Sequence, residues 1–405
     1  MNIPELLSPA GDMERLKFAF AYGADAVYLG AEDFGMRAAP KNFSLEQLKE
    51  AADYANSLGK KVYLTLNTVP TNEDVKKMPE FITKVAQTGV HAVIVADLGV
   101  LSMVKEYAPG MEIHFSTQVG IMNYVTANAA YALGAKRIVL ARETSLEDII
   151  EIREKTPKDL DIEAFVHGAM CMSFSGRCLL SQYLNGRDAN RGECSQPCRW
   201  EWTLHEKTRP GMEYDIGENE GGTYIMNAND LCMGPYVDML VQAGITSLKI
   251  EGRAKSFYYV ASVTSAYRKA IDSYYENPTD WLCPLSAMEE LTKTSHRRYS
   301  TGFYFGPENA IQTTDTSSYV REWDLLGVVE DWKDGVLYCS QRGKFTLGDE
   351  IEILQPSGDT IKFTPNWIKN AEGENVESTP HSKMAFTVDC PVEIRPMSIL
   401  RKKAE

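Results

Sequence analysis

The stretch Gly23-Ala-Asp-Ala-Val-Tyr-Leu29 holds the pattern that decides the fold: a glycine, a few polar or small residues, and a short apolar run rich in strand-forming residues. A run of this kind predicts a strand that is buried on both faces. The pattern returns along the chain, which predicts one sheet built from similar units. The further copies are Gly59-Lys-Lys-Val-Tyr-Leu-Thr-Leu66, Gly89-Val-His-Ala-Val-Ile-Val95, Gly110-Met-Glu-Ile-His-Phe115, Gly134-Ala-Lys-Arg-Ile-Val-Leu140 and Gly244-Ile-Thr-Ser-Leu-Lys-Ile250.

Segments with helical apolar spacing, such as Leu45 to Leu58 and Tyr124 to Leu133, precede these glycines. A glycine after a helix predicts a left-handed cap, since glycine adopts a positive φ at no steric cost. Two further strands are predicted near Glu5 to Ser8 and Asp161 to His167, which brings the number to eight. Alternating strands and helices predict a parallel sheet, and eight units over about 250 residues have the size of a (β/α)8 barrel, similar to a TIM barrel. An open doubly wound sheet is the alternative, although its Gly-x-Gly-x-x-Gly loop does not occur in the sequence.

The strand spacing breaks once, between Gly168 and Ser247. An insertion that follows a barrel strand lies on the carboxyl-end face, where active sites are built. From about Thr301 the sequence changes to short alternating runs separated by turn residues, which predict a small antiparallel β-barrel. These runs are Leu326 to Glu330, Gly335 to Tyr338, Asp349 to Leu354 and Ala385 to Asp389. The predicted divisions are a barrel at 1–255 with an insertion at about 169–245, a helical connection at 256–305 and a C-terminal domain at 306–405.

The composition excludes several classes of protein. Apolar residues make up 44% of the 405 residues and charged residues 24%, which is typical of a globular chain and excludes a disordered one. The formal charge of −14 excludes a generally basic nucleic-acid-binding surface, so any contact with nucleic acid requires a local basic patch. No apolar run is long enough for a membrane span, and the amino terminus does not resemble a signal peptide. We therefore expect a cytoplasmic protein whose thiols stay reduced.

Four of the eight cysteines fall between residues 171 and 198, within the insertion. In a reducing compartment this clustering indicates a metal or redox group. Four thiolates suit an iron–sulfur cluster or zinc, but only the Cys194/Cys198 pair has the spacing of a zinc knuckle. Reduced core cysteines are the third interpretation. The cysteines outside this region are interpreted as small apolar core residues: Cys283, Cys339 and Cys390.

One motif runs from Glu163-Ala-Phe-Val-His167-Gly through Cys171 to Ser175-Gly-Arg-Cys178. With Ser247-Leu-Lys-Ile-Glu-Gly-Arg253 and the opening Glu5-Leu-Leu-Ser-Pro-Ala-Gly11, it resembles the collagenase-like peptidase U32 family, whose catalytic type is unassigned. The resemblance covers nearly the whole chain. Within the family, the chain looks most like the group that hydroxylates tRNA uridine at C5 in a prephenate-linked reaction.

The resemblance implies a [4Fe-4S] cluster held by four cysteines. The matching positions are Cys171, Cys178, Cys194 and Cys232, and Cys198 is the alternative fourth ligand. It further implies tRNA, in its anticodon region, as substrate and prephenate as co-substrate. Two other hypotheses stay open. One is a peptidase with Cys171, paired with His167 as base, or an unrecognised group as nucleophile, although no His-Glu-x-x-His or Gly-x-Ser-x-Gly motif occurs. The other is a cluster-bearing subunit that pairs with a protein of the same family.

Polar residues at the predicted strand ends converge on one mouth of such a barrel. The candidate catalytic residues among them are Arg142, Glu143, His167, Lys249, Glu251 and Arg253. For each, solvated loop charge is the competing interpretation, and for His167 it is a histidine that is hydrogen-bonded beneath the loop. A basic rim that could attract RNA phosphates is also predicted, with solvation of a charged helix as its alternative. The rim residues are Arg177, Arg187, Arg191, Lys249, Arg253 and Lys255.

Overall fold

A computed structural model gives the fold of the chain. It describes residues 3–34, 42–171, 178–189, 194–199, 204–205, 213–214, 228–310 and 320–404. Within these ranges, no helix is both long and apolar enough to cross a membrane.

Eight parallel strands form a closed barrel, as the sequence predicts: β1 to β7 pair in order, and β11 pairs with both β1 and β7. Three short strands, β8 to β10, lie between β7 and β11, and β12 follows. The bounds are β1 (Glu5–Pro9), β2 (Ala26–Gly30), β3 (Lys61–Leu66), β4 (Ala92–Val95), β5 (Glu112–Phe115), β6 (Arg137–Val139), β7 (Asp161–Gly168), β8 (Leu204–His205), β9 (Glu213–Tyr214), β10 (Asp230–Cys232), β11 (Ser247–Ile250) and β12 (Tyr299–Ser300).

Helices surround the barrel, and most begin at a residue whose side-chain oxygen accepts a hydrogen bond from a backbone N–H of the first turn. Asp12, Ser44 and Ser256 are examples. The bounds are α1 (Met13–Ala21), α2 (Leu45–Ser57), α3 (Asn72–Ala86), α4 (Leu98–Tyr107), α5 (Tyr124–Ala132), α6 (Leu146–Glu154), α7 (Leu180–Asn185), α8 (Val237–Gln242), α9 (Phe257–Glu276) and α10 (Leu285–Thr292). α9 packs on α1 and β1, in the position of a barrel helix.

The glycine caps follow the prediction with one exception. φ is positive at Gly23, Gly59, Gly89, Gly134 and Gly244. It is not positive at Gly110, so the prediction is wrong there. α4 has already ended at Tyr107 with Ala108 as its cap, and the ring of Pro109 prevents further helix, so no left-handed residue is needed.

The C-terminal domain is an antiparallel half-barrel of seven strands, in the order β16-β15-β19-β13-β14-β18-β17. The four predicted runs form β13, β14, β15 and β18, while β16, β17 and β19 were not predicted. The bounds are β13 (Trp323–Lys333), β14 (Val336–Gln341), β15 (Ile351–Leu354), β16 (Ile361–Phe363), β17 (Ile368–Lys369), β18 (Ala385–Asp389) and β19 (Ile399–Lys403).

A buried interface joins this domain to the barrel helices α1, α9 and α10. Tyr22, the C-cap residue of α1, is 1% exposed, and its hydroxyl contacts the carbonyl oxygens of Leu354 (2.9 Å) and Met397 (3.0 Å). Arg401 of β19 is fully buried and donates to both carboxylate oxygens of Glu290 in α10. These contacts position the C-terminal sheet on the outer helices of the barrel.

Candidate active site at the barrel mouth

Arg142, Glu251 and Cys171 come together at the carboxyl end of the barrel. Arg142 follows β6, and its Nη2 lies 3.2 Å from Glu251 Oε2, just after β11. Its Nη1 donates to Cys171 Sγ at 3.6 Å, and its guanidinium lies 4.1 Å from the centroid of the Phe165 ring. The side chains of Arg142 and Glu251 are 9% and 10% exposed. The mouth thus presents one guanidinium that links a carboxylate, an aromatic face and an exposed sulfur.

Arg253 crosses the ends of two neighbouring strands instead of facing solvent. Its Nη1 donates to Thr65 Oγ1 (2.9 Å) and its Nη2 to Asn42 Oδ1 (3.3 Å), and the residue is 4% exposed. A Cβ at Gly30 would lie 2.6 Å from Arg253 Nη1, so only glycine leaves room for the guanidinium there. A cavity of about 250 Å³ adjoins this point and shares Asn42 in its lining.

Lys249 lies inside the barrel, in a buried ionic network. Its Nζ is 2.6 Å from Glu163 Oε1 and 4.5 Å from the centroid of the Tyr28 ring. Glu163 Oε2 also contacts Arg137 Nη1 at 3.1 Å, and Arg137 continues the network to Glu5. Burial opposes ionisation of Glu163, but Lys249 and Arg137 outweigh burial and hold its pKa below the usual value.

The burial of Lys249 and Arg253, each 4% exposed, corrects the prediction that they belong to a basic rim. Lys249 is paired with Glu163 and Arg253 donates to Thr65 and Asn42, so neither side chain is open to an RNA that approaches from solvent. Arg187 is exposed and Lys255 is half-buried. Arg177 and Arg191 lie outside the described residues.

His167 lies beneath the mouth in a cage of aromatic rings, and its assignment as catalytic stays a prediction. Its ring centroid is 5.5 Å from that of Tyr267, 5.3 Å from Tyr299 and 6.0 Å from Tyr259. The residue is 1% exposed, and its Nε2 has no hydrogen-bond partner within the described part of the chain. Burial, assisted by the neighbouring His296, lowers the pKa of His167 to about 3, so the imidazole is neutral at physiological pH.

The cysteines of the central region occupy two environments. Cys171 and Cys194 are exposed, whereas Cys178 and Cys198 are partly buried. Cys232 is buried on β10, directly opposite His167 in an antiparallel pair with β7. Burial raises the pKa of Cys232 to about 11, although hydrogen bonds from the backbone of Gly234 and from Tyr267 lower it.

Five thiols in and around one insertion are a soft donor set of the type that iron–sulfur clusters use. Among the described residues, however, no three His, Cys, Asp or Glu side chains form a group that could hold a metal ion. Much of the chain between these cysteines lies outside the described residues, namely 172–177, 190–193, 200–203, 206–212 and 215–227. The ligand set and the choice between Cys198 and Cys232 therefore stay predictions.

Glu143 is half-buried beside Arg142, and its assignment as catalytic also stays a prediction. Two residues at the site were missed by sequence reasoning. From the sequence alone, Phe165 looks like an ordinary core residue of β7. Tyr267 is one of several tyrosines in α9, and nothing in the sequence distinguishes it from the others. Tyr267 donates its hydroxyl to Val166 O (2.7 Å) and accepts from Met233 N–H (3.1 Å), so it ties β7 to the residue after β10. Only the three-dimensional pairing reveals either role.

Two family models match this chain, one over the barrel and one over the C-terminal domain. The model of peptidase family U32 matches residues 11–314, and that of the U32 C-terminal domain matches residues 321–401. The chain belongs to peptidase family U32. Both the barrel and the half-barrel of this U32 protein are thus family features.

Three relatives of the U32 protein carry different names. The tRNA hydroxylation protein P of Escherichia coli is 37% identical over 96% of this chain and 94% of its own length. The 23S rRNA 5-hydroxycytidine C2501 synthase of the same organism is 35% identical over 92% of this chain and 55% of its own length. A collagenase of Porphyromonas gingivalis is 34% identical, over 89% of each chain.

Proposed function

We propose that this U32 protein is an iron–sulfur enzyme that hydroxylates uridine at C5 in the anticodon region of tRNA, with prephenate as co-substrate. One observation carries the proposal: the similarity to the tRNA hydroxylation protein of E. coli spans 96% of this chain, barrel and C-terminal domain together. The rRNA 5-hydroxycytidine synthase adds a second relative whose name refers to hydroxylation of a pyrimidine in RNA. Cytoplasmic location fits this reaction, because its RNA substrate and reduced thiols are found there.

Conversion of C5–H to C5–OH adds one oxygen atom to the base and removes two electrons from it, so a co-substrate must supply the oxygen and the electrons must pass through a redox group to an acceptor. The proposal assigns this role to a [4Fe-4S] cluster, which supplies one-electron chemistry when bound. Cys171, Cys178 and Cys194 would hold it with Cys232, or with Cys198 as the alternative fourth ligand. Cys171 is already at the mouth, where Arg142 Nη1 contacts its sulfur.

The chain's own residues at the mouth suit a flat polar base. Arg142 has its guanidinium over Phe165 and its second nitrogen on Glu251. Donors and a carboxylate held at fixed positions are the means by which a protein reads the edge of an unpaired base. In the proposal, Arg142 and Glu251 orient the uridine, and the ring of Phe165 excludes water from this side of the mouth.

Proteolysis is the second candidate, and the collagenase relative favours it. A cysteine nucleophile needs a base within hydrogen-bond reach. Within the described ranges, the hydrogen bond formed by Cys171 is with Arg142, while His167 is enclosed by tyrosines and has a pKa of about 3. These contacts give no support to a Cys171–His167 pair, although a peptidase with another nucleophile needs no such pair.

Anaerobic purification distinguishes the two candidates. The hydroxylase proposal predicts brown protein with about four iron atoms per chain. It also predicts loss of the visible absorbance in Cys171→Ala and Cys178→Ala, with Cys283→Ala as a matched control that keeps it. Colourless protein with one bound zinc would contradict the proposal. Cleavage of denatured collagen that survives in Cys178→Ala would favour the peptidase.

A further inference from the structure

Arg142 contacts a candidate cluster ligand directly. Its Nη1 donates to Cys171 Sγ at 3.6 Å, a distance that is long for an oxygen acceptor but ordinary for the larger sulfur atom. A guanidinium does not lose its proton in a protein, so this donor carries a positive charge at every physiological pH. In the thiolate form that the proposed cluster requires, Cys171 therefore has a permanent cationic donor beside it.

Two neighbours hold this guanidinium in place. Arg142 Nη2 lies 3.2 Å from Glu251 Oε2, and the guanidinium carbon lies 4.1 Å from the centroid of the Phe165 ring. Glu251 is itself fixed, because its backbone N–H donates to His167 O (2.9 Å) and its carbonyl oxygen accepts from the Tyr259 hydroxyl (3.0 Å). The fold thus positions the donor at the sulfur by its own contacts, in the manner of an outer-shell partner of a metal ligand.

The position of the counter-charge decides how strongly the sulfur feels the arginine. Glu251 contacts Nη2 of Arg142, whereas Nη1 contacts the sulfur, so the ion pair acts as a dipole with its positive end toward Cys171. The Arg142 side chain is 9% exposed, so water and salt screen its charge less than that of a surface arginine. A positive charge at the sulfur favours the more negative state of a cluster, which is the reduced state.

We propose that Arg142 is a positioning residue that raises the reduction potential of the cluster through Cys171, and that Glu251 limits this effect. The inference rests on the proposed function, because it takes Cys171 as a cluster ligand. Hydrogen bonds to the sulfurs and nearby charge are among the factors that set the potential of an iron–sulfur cluster. The same guanidinium lies where the proposed function orients the uridine, so one residue serves both the base and the cluster.

The test is a redox titration of the anaerobic protein, followed by electron paramagnetic resonance of the reduced cluster. Arg142→Met should favour the oxidised state about tenfold relative to the wild type, a fall of about 59 mV for one electron. Arg142→Lys keeps the charge but loses the planar fork, so it should recover part of this fall. A merely structural role of Arg142 would change the stability of the mouth and leave the potential where it was.

Two further variants give the sign and the baseline. Glu251→Gln removes the counter-charge while keeping the shape of the side chain, so it should shift the potential in the opposite direction, toward the reduced state. Lys61→Met is the matched control, because it removes one positive charge from an exposed lysine at the start of β3. It should keep the wild-type potential and the wild-type iron content.

Each outcome has one meaning. A wild-type potential in Arg142→Met, with wild-type iron content, overturns this inference and leaves the proposed function intact. A fall in both Arg142→Met and Glu251→Gln also overturns it, because a charge effect requires opposite signs. Where Arg142→Met loses its iron, Glu251→Gln decides: a raised potential supports the inference, and an unchanged or lowered one overturns it. A wild-type protein that binds no iron overturns the proposed function itself.

Discussion

Replacement of Lys249 by methionine tests the buried ionic network of the barrel. Methionine keeps most of the length of the side chain, so packing changes little and the loss is mainly that of the charge. Glu163, which is fully buried, would keep only Arg137 at 3.1 Å as its cationic partner. Removal of one member of a buried pair costs 3–5 kcal/mol, and the remaining arginine places the expected loss at about 3 kcal/mol.

Thermal and chemical unfolding at neutral pH measure this loss. For a barrel of this size, about 3 kcal/mol corresponds to a fall in Tm of about 6 °C. Lys61→Met, which changes an exposed lysine at the start of β3, is the control and should alter Tm by less than about 1 °C. The double variant Lys249→Met/Glu163→Gln should recover part of the loss, because it no longer buries an undercompensated carboxylate.

The pH dependence of stability is the second test of the ionic network. Because the pKa of Glu163 is lowered in the folded protein, its stabilising contribution is complete above the unfolded value of about 4.3 and is lost as pH falls through the folded value. The difference in stability between wild type and Lys249→Met should therefore shrink as pH falls below about 4. A loss below about 1 kcal/mol at neutral pH, or a difference that acid leaves unchanged, would refute the ionic network as described.

Three further changes test other parts of the structure. His167→Ala should lower the free energy of unfolding by about 3 kcal/mol, because it leaves a cavity among the aromatic rings. An unchanged Tm in a calorimetric scan would contradict the burial of His167 among these rings. Tyr22→Phe should weaken docking of the C-terminal domain by about 1 kcal/mol through the lost hydrogen bonds, and faster proteolysis between the domains would report it, whereas a wild-type cleavage rate would argue against the interface. Comparison of Cys198→Ala with Cys232→Ala should show loss of iron in Cys232→Ala, and retention of iron there together with loss in Cys198→Ala would reverse the assignment.

The barrel was predictable because its signals are local. Every barrel strand after β1 is a short apolar run that follows a helix, and this pattern needs no knowledge of distant residues. β10 was not predicted because Asp230-Leu-Cys232 has neither the capping glycine nor the apolar run that marks the equally short β6. β19 was not predicted because an arginine such as Arg401 is usually a surface residue. In the structure Arg401 is buried at the domain interface, where it pairs with Glu290 and Glu352.

The site was only partly predictable, because the direction of a side chain depends on long-range pairing. The register between β7 and β11 shifts between Lys249 and Ile250, so that His167 pairs with Ile250 one residue out of step. In a regular strand the side chains alternate, so His167 would point to the same side as Phe165. The irregularity coincides with the different position of His167, among the tyrosines. Likewise, a positive charge in the sequence gives no sign that its partner lies 86 residues away, as for Lys249 and Glu163.

Mass spectrometry of tRNA nucleosides from a strain that lacks this protein tests the central claim most directly. The account predicts that 5-hydroxylated uridine and its derivatives fall in the deletion strain and that the wild-type gene restores them. Arg142→Met, which removes the guanidinium at the mouth, should not restore them, whereas Lys61→Met should. Unchanged hydroxylation of tRNA in the deletion strain would contradict the account.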